Sequence, residues 1–178
     1  MSLFGWLFGQ KPTVEPRREP VRQTIPEPEF ASEWDVANIA QTEIERPDGM
    51  VALTGASNIR VAGLNHREAE VTNFIRVTRA AYRGGRGWGT LTLVREPENP
   101  HDANAVKILA AAPGSRQTQV IGYLPADIAY RLATDFDPAM PIAAVLRAVG
   151  NRRGGDGPLI KLDVLIPRKA DRKRFERG

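Results

Sequence analysis

The chain of 178 residues contains no cysteine. Disulfides and thiolate metal centres are therefore excluded, and a reducing compartment is implied, so a cytoplasmic location is expected. Histidine is almost as scarce. His66 and His101 are the only two, so a zinc site would have to be completed by carboxylates. No cofactor is expected. No run approaches the roughly 20 apolar residues that cross a bilayer. No glycine-rich loop is followed by Lys-Ser/Thr and a helix start, so the chain has no ATPase motor of its own.

What is present is an ordinary globular composition, 42% hydrophobic and 26% charged. The net charge of +4 is unevenly spread. Residues 1–50 carry −4, residues 51–166 carry +4 and residues 167–178 another +4. A basic core with a basic tail suits a polyanionic partner, although such a charge is also ordinary for a solvated surface. The start, Met1 to Gly9, is short and apolar, with Phe4, Trp6 and Phe8. It lacks the charged n-region and small-residue cleavage site of a secretory signal. It reads either as a hook for a protein partner or membrane surface, or as a floppy terminus. Lys11 to Phe30 holds five prolines and four glutamates and few large apolar residues, the composition of a linker. We place an apolar segment at 1–10, a mostly disordered Pro/Glu-rich linker at 11–49, one domain at 50–166 and a basic tail at 167–178. Within the linker Ser32 is placed to cap a short helix anchored by Trp34, Ile39 and Ile44.

Periodicity gives the domain its elements. Ser57 to Leu64 reads as a strand and His66 to Tyr82 as a helix with an apolar stripe at Val71, Phe74, Ile75 and Thr78. Arg83 to Gly89 is a glycine-rich loop whose Trp88 either stacks on a base or packs inward. Strands follow at 90–95, 105–111 and 119–124. Pro125 then starts a second helix at its first position, with Ile128, Ala129, Leu132 and Phe136 facing inward. Pro138 and Pro141 end it, and strands at 142–149 and 159–166 close the chain. Short strands separated by turns suggest a mainly β fold with two helices, a small barrel rather than a parallel sheet.

The stretch Arg95-Glu-Pro-Glu-Asn-Pro-His-Asp-Ala-Asn-Ala-Val106 is unlike an ordinary hairpin loop. Pro97 and Pro100 stiffen it. Asn99, Asp102 and Asn104 are the residue types that satisfy backbone donors in turns, yet His101 is not explained that way. This segment closely resembles the signature of the HIRAN family. Val61-Ala-Gly63, Val120-Ile-Gly-Tyr-Leu-Pro125 and Leu159-Ile-Lys-Leu-Asp-Val-Leu165 resemble further pieces of that family, in the right order. The resemblance covers roughly residues 57–166.

The resemblance implies an OB-like barrel that binds single-stranded DNA or captures DNA 3′ ends in repair or at stalled forks. It implies that Asp102 accepts hydrogen bonds from the terminal hydroxyl or sugar and that Asn99 contacts the end nucleotide. His101, where the family usually has tyrosine, would stack on a base, and Tyr123 would line the same pocket. Asn65 and His66 fall where relatives place an arginine and an aromatic, so Arg60 or Arg67 would supply the charge. Arg95 begins the motif and joins the DNA-binding set. Ala126 stands where relatives carry a basic residue. Two other readings belong to different classes. One is a protein adaptor hooked by residues 1–9. The other is a metal-dependent nuclease with Glu96, His101 and Asp102 as ligands of a hard cation.

Overall fold

The segments rich in Val, Ile and Leu pair into one antiparallel sheet. The computed structural model describes residues 34–38 and 46–173, except 86 and 153–156. The Met1–Gly9 segment, the Pro/Glu-rich stretch and the end of the basic tail lie outside these residues. In chain order the elements are β1 (Trp34–Asn38), β2 (Met50–Ala52), β3 (Ile59–Arg60), α1 (Glu68–Arg83), β4 (Thr90–Arg95), β5 (Val106–Ala111), β6 (Thr118–Tyr123), α2 (Ala126–Thr134), β7 (Ala143–Arg152), β8 (Pro158–Pro167) and α3 (Lys169–Arg172). The strands run β2-β8-β7-β4-β5-β6, with β1 added to β7 and β3 to β8. No helix among the described residues is long and apolar enough to cross a membrane.

β8 is buried along nearly its whole length because it is paired on both edges, with β7 on one side and β2 and β3 on the other. A strand in that position tolerates a near-continuous apolar run. Its even-numbered residues, Ile160, Leu162, Val164 and Ile166, enter the main core. There they meet the α1 stripe of Val71, Phe74 and Ile75 and the α2 residues Ile128, Ala129 and Leu132. The stripes expected for the two helices are thus their buried faces. Trp88 packs inward, its ring 4.7 Å from that of Tyr82 and tilted by 50°.

A closed barrel does not form. The chain leaves β3 at Gly63, whose φ of 74° only glycine adopts cheaply, and turns at once into a 3₁₀ turn at Leu64–Arg67. The strand expected over Ser57–Leu64 therefore shrinks to Ile59–Arg60 and one further bridge, in which Ala62 and Tyr123 exchange hydrogen bonds of 2.9 and 3.0 Å. That bridge is the sheet's contact between its β6 end and the β3 extension. It depends on Gly122, where an added Cβ would lie 2.3 Å from the Ala62 carbonyl oxygen. Two further differences from expectation are local. Trp34–Asn38 is a strand, not part of a short helix, because β7 offers its backbone over Ala148–Arg152. The tail begins with the short α3, held by Arg172 stacking over Phe136 at 5.1 Å.

β8 carries one buried carboxylate. Asp163 is 1% exposed and meets Arg147 at 2.7 Å. Arg147 is the extra residue where the β7–β8 register shifts between Leu146 and Ala148, and such bulges re-aim a side chain. The other Asp163 oxygen accepts the Asn58 N–H at 2.8 Å, which fixes Asn58 at φ 55° in the β2–β3 connection.

Replacing Asp163 by Ala strands the Arg147 charge and is expected to cost about 3–5 kcal/mol in chemical denaturation. Gly122→Ala must push Ala62 away and is expected to lower stability by roughly 1–3 kcal/mol. A Gly122→Ala chain that melts like the parent would show that the bridge contributes nothing.

Candidate nucleic-acid interface

The β4–β5 ladder runs in register from Thr90–Ala111 to Arg95–Val106, and the motif fills the connection beyond its last pair. Two prolines remove donors there, and six of the remaining N–H groups find partners inside the loop. The Glu96 N–H donates to the Ala105 carbonyl at 2.8 Å, Asn99 N–H to the Glu96 carbonyl at 3.0 Å and Ala105 N–H to the Asp102 carbonyl at 2.9 Å. Asn99 Oδ1 accepts the N–H groups of His101 and Asp102 at 3.0 and 3.3 Å. Asp102 Oδ1 accepts that of Asn104 at 2.9 Å. These are the turn-stabilising contacts expected of Asn and Asp beside proline. They use Oδ1 in both residues.

Beside this loop lies an open cleft of about 490 Å³, lined by Val94 to Pro100 together with Lys107 and Tyr123. Its organising group is Glu96. One Glu96 oxygen pairs with the Lys107 ammonium, the other accepts from Asn99 Nδ2 at 3.1 Å, and the Tyr123 hydroxyl also donates to this carboxylate. The hydrogen bond from Lys107 is the chief cause that holds the Glu96 carboxyl below its ordinary range. Partial burial opposes it, and Asn99 and Tyr123 add to it. Neither Glu96 nor Lys107 stands among the binding residues read from sequence. The signal was present in the register. Lys107 opposes Val94, so Glu96, two residues on, is its diagonal neighbour on the same face.

The sequence-derived residues fall in several places. Arg95, Asn99 and Tyr123 line the cleft. His101 is exposed and Asp102 half-buried on the same loop, outside the cleft lining. Asn65 and His66 are exposed on the 3₁₀ turn that follows the Ala62–Tyr123 bridge, with Asn65 Oδ1 near Gly157 of the β7–β8 connection. Arg60 lies on β3 opposite Lys161, and Arg67 is half-buried at the start of α1. The Arg95 guanidinium is directed to α2. Its Nη1 donates at 3.0 Å to the Leu132 carbonyl, one of the carbonyls a helix leaves open at its C-terminus. Desolvation lowers its pKa, and Asp137 opposes the shift. No group of three or more His, Asp or Glu side chains among the described residues is placed to hold a metal ion.

Because the folded-state pKa of Glu96 is depressed, the stabilisation this carboxylate gives is complete above the ordinary glutamate range near ~4.3. It is lost as pH falls through the lowered value. Lys107→Met removes the main cause, so the Glu96 midpoint followed by carboxyl NMR is expected to move upward. A midpoint that stays put would mean the pair is not formed in solution.

Compared with known protein families, residues 54–152 match the HIRAN domain. No curated protein and no solved structure matches the chain. The matched span contains the loop, the cleft and both long helices, while β8 lies beyond it and completes the sheet. With more than half of its residues matched in this way, the chain belongs to the HIRAN domain family, a family of nucleic-acid-binding modules.

Proposed function

We propose that this chain is a non-enzymatic module that recognises single-stranded DNA or DNA 3′ ends, in repair or at stalled forks, in the cytoplasm. The observation that carries the reading is that Asn99, on the self-bonded loop that also bears His101 and Asp102, lines one cleft together with Tyr123. The aromatic ring offers a stacking face, and the loop offers carboxylate and amide groups to a sugar or base edge. Asp102 accepts a hydrogen bond from the terminal hydroxyl through the oxygen not engaged with Asn104, and Asn99 contacts the last nucleotide. His101 stacks from the exposed side of the loop. Asn65, His66, Arg60 and Arg67 extend the surface beyond the bridge, and Arg95 supports it from beneath through α2. The binding unit runs over residues 50–166, because β2 at one edge of the sheet is paired to β8, the last strand of the chain.

The test is fluorescence anisotropy with single strands of either end polarity, blunt duplex and fork, at two salt concentrations. Asp102→Asn keeps an acceptor for the Asn104 N–H while removing the carboxylate. It is expected to weaken binding to a hydroxyl-ended single strand by about tenfold, the loss of one charge-assisted hydrogen bond. A strand carrying a 3′-phosphate is expected to bind the parent chain less well. Equal affinity for the two ends would remove end recognition from the reading, and no binding to any strand would remove the reading itself.

A further inference from the structure

Two cationic side chains line the cleft, Arg95 and Lys107. Arg95 spends Nη1 on the end of α2 and is drawn away from the opening. Lys107 is differently placed. It sits on β5 directly opposite Tyr123 in the β5–β6 ladder, and residues so paired carry side chains on one face, roughly 5 Å apart at Cβ. Its ammonium has three donors, of which Glu96 takes one. Glu96 is in turn held by Asn99 and Tyr123, so the lysine is anchored at a defined point without being consumed. The side chain is 26% exposed, enough to meet a ligand without a large desolvation cost. An aromatic ring flanked by a fixed cation is the arrangement that holds a single strand, the base on the ring and the phosphate on the charge.

The geometry points to Lys107, oriented by Glu96, as the phosphodiester contact of the cleft, next to the base that stacks on Tyr123. This rests on the nucleic-acid reading above and adds to it a residue and a chemical partner. Lys107 contacts the strand, and Glu96 acts through it as a positioning residue. A phosphate contact is indifferent to base identity and carries a counterion signature, which separates it from a residue that merely shapes the cleft.

The experiment measures affinity for labelled oligothymidylate and oligoadenylate across a salt series, using the full chain and its Lys107→Gln and Lys107→Arg variants, each checked by thermal melting. Lys107→Gln is expected to weaken binding several-fold at low salt, equally for both strands. It should also flatten the dependence of log K on log salt by about 0.7, one single-strand phosphate. Lys107→Arg is expected to keep the parent slope. A Lys107→Gln chain with the parent slope overturns the assignment, even if its affinity falls, because that outcome belongs to a structural role. Should Lys107→Gln fail to fold, a reduced slope in Lys107→Arg overturns it and a retained slope supports it. A parent chain that binds neither strand overturns the nucleic-acid reading and this assignment with it.

Discussion

Two hydrogen bonds between Ala62 and Tyr123 tie the start of the domain to the end of β6. Much of the candidate site follows from them. They hold Tyr123 between β5 and the β3 extension, and so place its ring at the mouth of the cleft. They also bring the turn bearing Asn65 and His66 alongside. The approach is so close that position 122 has room for hydrogen alone. The register shift in β5–β6, which leaves Ile121 as the extra residue between Val120 and Gly122, bends β6 toward this contact. The sheet thereby comes round on itself at one residue pair, without the continuous ladder that would make it a barrel.

Two ion pairs show how burial sets the task of a charge. Asp163 is enclosed and Arg147 largely so, and removing either leaves the other charge without its ionic partner. That pair fixes a register shift and a loop, and it acts within the fold. Glu96 and Lys107 are partly open to water, where a single pair contributes little to stability. Their value lies in geometry. The carboxylate gathers an amide, a phenol and an ammonium from a loop and two strands into one wall.

The elements that the sequence disclosed are those with a strong period of their own. Thr90–Arg95 alternates, and Val71, Phe74, Ile75 and Thr78 recur at helical spacing. The apolar run from Leu159 to Ile166 is broken only by Lys161 and Asp163. Trp34–Asn38 and Met50–Ala52 were hidden for the opposite reason. They are strands because β7 and β8 offer them backbone partners, and nothing in so few residues announces it. At the site, Asn99, Asp102 and Tyr123 were visible through a motif and its resemblance. The Glu96–Lys107 pair was not, because the meeting of its two residues depends on a ladder register that no local spacing encodes. Arg95, grouped by its position in the motif, is directed by the fold toward a helix end.

The loop from Glu96 to Ala105 has a thermodynamic consequence. Two of its residues have no N–H to place, and the Asn99 and Asp102 oxygens hold three others. The chain entropy lost in fixing this loop is therefore lost when the protein folds, before any ligand arrives. A ligand that seats against it meets a surface already in shape, and little of its interaction energy is diverted into ordering the receptor. Association is then governed by water release and by the ligand's own loss of freedom, with the heat-capacity signature of a rigid cleft rather than of coupled folding.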